Sequence, residues 1–391
     1  MNSISINIDR FNHLLKLYRL TKDDILVHIN KGLKKHFTEA DIFKSDIKIS
    51  LLKRIDSIFK KGLNYYIDPK ELLESKDESI FFRKDKFNAE LSLGAKQIVN
   101  QFEEEKIALS ALSKLSDFKM DRTLPFYTVK NTPKKVAIEI REHLYPDFNL
   151  NKKEFLKSLI NKFAEYNILV FEFIETWNKK EIANINGFYL SPNVIVLKRY
   201  QKSFRREIFT LIHELGHYLL NIEEIDEKIN EYLIDYDSLS QVERWCNDFA
   251  YYFLVGNYDS TIINLAQASS KNDFHCDLIS SISNNTNLST ISLYTRLFLN
   301  NTISYPNYNT VCDSILDSIK EREEKEKLAR KLEKGKAELE GRIIKGAIPK
   351  PIQSPLYVKT IQSAYFEGVI NEAEFCKRLN IKADKIEKYL Q

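Results

Sequence analysis

Apolar residues recur at helical spacing along most of this 391-residue chain. In FNHLLKLYRLTKDDILVHI, Phe11, Leu14, Leu15 and Tyr18 mark one helical face, and Thr21 with Asp24 makes a capping box that opens a second helix. ISLLKRIDSIFKKGL (49–63) gathers Leu51, Leu52, Ile55, Ile58 and Phe59 into one stripe, with Gly62 as the expected stop. DESIFFRKDKF reads as a short extended piece, and SLGAKQIVNQFEEEKIALSALSKL after it as a longer helix. Two prolines and polar turn residues in MDRTLPFYTVKNTP (120–133) mark a boundary. Thr132 and Pro133 then open a helix, KKVAIEIREHLYP, and KKEFLKSLINKFAEY forms the next.

The composition then changes to β-branched and aromatic residues in NILVFEFI (167–174), GFYLSP and NVIVLKRY (193–200), which predicts three short strands. QVERWCNDFAYYFLV (241–255) and NLSTISLYTRLFL (287–299) return to helical spacing. A charged helix of alternating sign follows at 320–342, then the Pro-rich linker GAIPKPIQSP, then two or three short helices to the end. Helices around a small sheet give an α+β fold class.

One stretch departs from these patterns. IFTLIHELGHYLL (208–220) is apolar on nearly every side, as in a buried helix, yet carries His213, Glu214 and His217 at its centre. Buried without partners, those groups would cost several kcal/mol, of order 5.

Composition narrows the setting. No segment approaches the roughly 18 uninterrupted apolar residues of a membrane span, and the N-terminus has no signal-peptide pattern. Cys246, Cys276, Cys312 and Cys376 are scattered with no CxxC pair, which argues against a cysteine metal site and fits a reducing, cytoplasmic setting. The net charge of +4 is small, but residues 1–62 hold 13 Lys+Arg against 7 Asp+Glu. That basic start permits contact between residues 1–65 and DNA.

His213 and His217, four apart on a helix, present both imidazoles to one side and can share one metal ion. Zinc takes imidazole nitrogen readily and needs a third protein ligand, leaving a fourth position for water. Glu214 stands where it can reach that water as a general base. The position three after His217 is Leu220 and the sixth is Glu223, so the metzincin pattern is absent. Glu243 is the favoured third ligand, because it opens a helix on which Asn247 follows one turn later, placed to hydrogen-bond a ligand histidine. Glu223, Glu224 and Glu227 are competitors from a polar stretch. Tyr189 and Tyr218 are candidates for steadying the reacting carbonyl oxygen, and Arg205 and Arg206 for binding nearby carboxylates. Gly216, costly inside a helix, suggests close approach of the Glu243 helix.

RREIFTLIHELGHYLL followed by ERWCNDFAYYFL resembles the ImmA/IrrE family of zinc metallopeptidases, over roughly residues 131–300. INGFYLSPNVIVLKRY is similar to the glycine-aromatic turn and edge strand that precede the metal helix in that family. The resemblance implies a zincin-like small mixed sheet with an HExxH helix, flanked by helical regions at both ends. It implies His213, His217 and Glu243 as zinc ligands and Glu214 as catalytic base. The substrate would be an intracellular regulator of repressor or antitoxin type, its extended chain paired with a sheet edge. The alternative is a DNA-binding transcriptional regulator whose zincin-like part senses metal, ligand or partner without cutting. A scaffold with a structural zinc is a third.

The implied organisation is a basic helical region at 1–80, a divergent helix-turn-helix, and a helical connector at 81–130. A metallopeptidase domain at 131–311 would follow, then a charged helix (312–345), a linker (346–356) and a C-terminal helical appendage (357–391). The chain departs from the family in having Cys246 where alanine is frequent, and LVGN where the second helix often ends in proline.

Overall fold

The computed structural model describes residues 3–70, 91–174, 182–199, 203–225, 239–340 and 351–390. The expected extended piece DESIFFRKDKF, Glu227 and the first half of the Pro-rich linker lie outside them. The chain divides into two compact units, Met1–Glu105 with Lys180–Asn184, and Lys106–Lys179 with Ile185–Gln391.

In the first unit, β1 (Ser3–Ser5) pairs antiparallel with β2 (Asp46–Lys48). Between them run α1 (Ile8–Leu17), α2 (Lys22–Asn30) and α3 (Glu39–Ile42); α4 (Ile49–Phe59) and α5 (Leu63–Ile67) follow. The apolar stripes meet as expected: Phe11, Leu14, Tyr18, Ile25, Leu52, Ile55 and Phe59 form one core. Phe11 stacks on Phe43 and meets the edge of Phe59. The Thr21–Asp24 capping box is present. Helix α4 ends at Lys60 in the left-handed conformation rather than at Gly62, whose N–H instead donates to Asp56 Oδ1. The loop from Lys31 to His36 is closed at its base by two hydrogen bonds between Asn30 and Phe37, 2.9 and 2.8 Å. Arg54 fastens it further by donating to Ile29 O and Lys31 O.

The division between the units falls within α6 (Leu93–Leu115). In the second unit, α7 (Pro133–Leu144) and α8 (Lys152–Glu165) precede a three-stranded sheet. Its strands are β3 (Leu169–Ile174), β4 (Gly187–Leu190) and β5 (Val194–Arg199). The order is β3-β5-β4, with β3 parallel and β4 antiparallel to β5. This is the small mixed sheet of an α+β, zincin-like fold.

The order corrects one expectation. NVIVLKRY forms the central strand, and β3 and β4 are the two edges of this sheet. Val194 to Leu197 is an unbroken apolar run, the pattern of a strand covered on both faces. Helix α9 (Phe204–Leu220) lies against β4 and β5, and α10 (Gln241–Val255) lies against α9 and α7. Then come α11 (Tyr258–Ile263), α12 (Cys276–Thr286), α13 (Thr290–Leu299) and α14 (Tyr305–Leu339). Two short helices, α15 (Pro355–Phe366) and α16 (Glu372–Leu379), and a final 3-10 turn complete the described chain. None of the described helices is long and apolar enough to cross a membrane.

A buried charge cluster ties the sheet to the start of α9. Arg199 donates to both oxygens of Glu172 on β3 and, through Nε, to Glu207 in the first turn of α9. The backbone N–H of Ile352 also donates to Glu172. One guanidinium therefore serves two buried carboxylates. Burial pushes the Glu172 carboxyl up to about 7; Arg199 and the Ile352 N–H oppose the shift and Glu207 adds to it.

A carboxyl raised in the folded state stabilises through its protonated form. That contribution is complete below the ordinary value and is lost as pH rises through about 7. Thermal unfolding should accordingly show a loss of order 1–3 kcal/mol between acid and neutral pH that Glu172→Gln removes. An unchanged pH profile in the variant would assign that loss elsewhere.

Candidate metal centre

The two helices that carry the candidate site are fastened at both ends. Ser203 caps α9, accepting from the Arg206 N–H. At the other end Asn221 turns left-handed, and the last carbonyls find donors: His217 O from the Ile222 N–H, Tyr218 O from Arg122 Nη1, Leu219 O from the Tyr127 N–H. The Arg122 guanidinium lies against the rings of Tyr218 and Phe126. Ser240 caps α10, accepting from the Glu243 N–H at 3.1 Å, and Arg141 donates to Phe253 O at the far end. Each helix thus ends on a fixed positive charge, which complements its dipole. The helices approach closely at Gly216, where an added Cβ would meet Cys246 Sγ at 3.0 Å and Cys246 Cα at 3.2 Å. The approach expected of this glycine is present, and it is what brings Glu243 within reach of the histidines.

Three buried side chains converge there. His213 Nε2 and His217 Nε2 are 3.2 Å apart, and each lies 3.1 Å from a different oxygen of Glu243. His213 Nδ1 is 3.0 Å from Asn247 Oδ1, and His217 Nδ1 is 3.2 Å from Ile222 O. Both of those oxygens are acceptors, so the Nδ1 atoms carry the protons and the Nε2 lone pairs face Glu243. The two Glu243 oxygens are buried and make no hydrogen bond. Burial alone would raise the Glu243 carboxyl, but the imidazoles beside it outweigh that and hold it well below its usual range. Burial would lower His217, but Glu243 more than offsets it, so with no ion among these groups His217 is raised and a proton can take the cation's place.

Two lone pairs and a carboxylate at this spacing could hold a metal ion between them. Donors bonded at about 2.0 Å in a tetrahedral arrangement lie about 3.3 Å apart, close to the triangle found here. Residues 164–274 match the IrrE N-terminal-like domain family, Peptidase_M78. No curated protein and no solved structure matches the chain. The IrrE-like segment holds all five residues singled out from the sequence, His213, Glu214, His217, Glu243 and Asn247, and the match supports a metallopeptidase-type function for it.

Glu214 follows the first histidine on α9 and is buried. It packs beneath β4 at Gly187, where an added Cβ would lie 3.1 Å from Glu214 Cγ and 2.8 Å from Thr210 Cγ2. The competing carboxylates are engaged away from the cluster: Glu223 accepts from the Ser191 N–H and Glu224 from the Ser240 hydroxyl. Of the tyrosines considered for steadying a reacting oxygen, Tyr189 has its hydroxyl engaged, whereas the Tyr218 hydroxyl is buried without a hydrogen bond. The Tyr189 hydroxyl lies by Pro192 O and Asn221, while Tyr218 packs edge-on to Tyr189 beneath Arg122. Arg205 donates to Ser283 O and Asn284 Oδ1.

The sequence reading missed Ile222, which contributes only its carbonyl and so leaves no side-chain signal. It also missed Gly187, whose role depends on what packs against it. Gly216→Val should force the helices of the IrrE-like segment apart and cut metal content from about one ion per chain several-fold. Elemental analysis of the purified variant measures this, and undiminished metal would contradict it.

Proposed function

We propose that this chain is a zinc-dependent endopeptidase that hydrolyses a peptide bond in one intracellular protein, a regulator of repressor or antitoxin type. The observation that carries the reading is the closed triangle of His213, His217 and Glu243, with Glu214 one residue from the first histidine. The choice of substrate class rests on the motif resemblance.

Strand β4 suggests how a substrate would be aligned. Asn186 O accepts from the Lys198 N–H, so Phe188 and Leu190 turn their amide groups toward β5. Gly187 and Tyr189 then turn theirs to the other edge, which no strand pairs among the described residues. An extended peptide adding there would run past Glu214, because Gly187 interposes no side chain. Zinc, when bound, would supply Lewis acidity that polarises the scissile carbonyl and makes water more acidic. The Glu214 carboxylate takes a proton from the attacking water and delivers it to the leaving amine as the C–N bond breaks.

His213→Ala should lose zinc. Glu214→Gln should keep zinc and lose about 10²–10⁴-fold in cleavage rate. The substrate can be captured by pull-down with Glu214→Gln, and full cleavage of that protein by the same variant would overturn the peptidase reading.

A second reading, in which residues 1–65 bind DNA, is favoured by the Lys31–His36 loop. It exposes Lys31, Lys34, Lys35 and His36 with no acidic residue between them, on a base closed by Asn30 and Arg54. If it grips phosphates, the log–log salt dependence of duplex DNA binding should have a slope that falls by up to about 2 in Lys34→Glu/Lys35→Glu. An unaltered slope would remove this loop from DNA contact.

A further inference from the structure

His217 is aimed by a carbonyl, and that carbonyl sits in a turn with fastenings of its own. Ile222 O receives the His217 Nδ1 proton at 3.2 Å, which leaves the Nε2 lone pair for the cluster. Immediately before Ile222, Asn221 ends the helix with φ 51° and ψ 42°, a left-handed conformation that asparagine tolerates. Its Oδ1 lies 2.8 Å from the Tyr189 hydroxyl and 3.1 Å from the Ser191 hydroxyl. Immediately after Ile222, Glu223 Oε1 accepts from the Ser191 N–H at 2.7 Å. The turn is therefore held on both sides of Ile222 by residues at the end of β4.

We propose that Asn221, held by Tyr189 and Ser191, is a positioning residue for the metal site. It fixes the Ile222 carbonyl, and through that carbonyl the tautomer and ring direction of His217. The inference rests on the metallopeptidase reading and deepens it. A helix cap alone would require only the left-handed backbone, which glycine also provides. The side-chain oxygen facing two hydroxyls is additional to that need. It makes strand β4, the edge where a substrate would pair, part of the support for a ligand histidine.

The test is zinc affinity, measured by competition with a chromophoric chelator, together with the visible spectrum of the cobalt(II)-substituted protein. Asn221→Gly keeps the backbone conformation and removes the acceptor, Tyr189→Phe removes one donor within an intact ring packing, and Asn221→Asp restores the acceptor. Asn221→Gly and Tyr189→Phe should each weaken zinc about tenfold and shift the cobalt bands, while Asn221→Asp recovers to within about threefold of the parent. Combined, the first two should weaken zinc no further than the stronger of them alone, since both break one connection. Parent-like affinity and cobalt spectra in both Asn221→Gly and Tyr189→Phe would overturn the proposal, even if thermal stability fell. A parent protein that takes up no zinc would instead overturn the peptidase reading beneath it.

Discussion

A carboxylate and two imidazole lone pairs, buried within 3.2 Å of one another, need a positive charge among them, and much of the second unit is arranged around that need. In a dry interior the carboxylate of Glu243 would be costly if left alone, because removing one partner from a buried charge pair strands the other. The fold prevents the groups from drifting apart. Gly216 lets α10 press onto α9, Asn247 and Ile222 O orient the rings, and Arg122 and Arg141 hold the far ends of the two helices. An apolar helix can keep three polar residues at its centre only with such support, and the three ligand atoms are placed where an ion could complete it.

The sheet serves the same centre from the other side. The central position of β5 leaves β4 as the edge nearest α9, and Gly187 lets that edge approach Glu214 closely. Tyr189 near the end of β4 and Ser191 just after it hold the turn behind His217. The same short strand therefore faces both the candidate base and the support of a candidate ligand. The cluster of Arg199, Glu172 and Glu207 fixes the start of α9 to β3 and β5, so the helix is registered against the sheet at each end.

Much of this could be read from the chain because the signals were local. Helical stripes, the Thr21–Asp24 box, Thr132–Pro133 and the strand composition of residues 167–200 each report on a few neighbouring residues, and those elements appear where expected. The HExxH spacing and the Glu243–Asn247 pair needed only helix geometry to place their side chains. What failed depended on tertiary neighbours. Strand order is not encoded in one strand's pattern: the resemblance suggests an edge at NVIVLKRY, whereas its continuous apolar run fits the central position that β5 takes. Sequence proximity likewise could not say how Tyr189 and Tyr218 turn: their rings meet edge to face, with Arg122 against Tyr218. A stop at Gly62 was the natural reading, yet Lys60 takes the left-handed position two residues earlier.

The central claim is most directly tested by X-ray absorption spectroscopy of the zinc-loaded protein. The account predicts a first shell of nitrogen and oxygen at about 2.0 Å, without sulfur, and outer scattering from two imidazoles. A sulfur shell at about 2.3 Å, or scattering from fewer than two imidazoles, would contradict it.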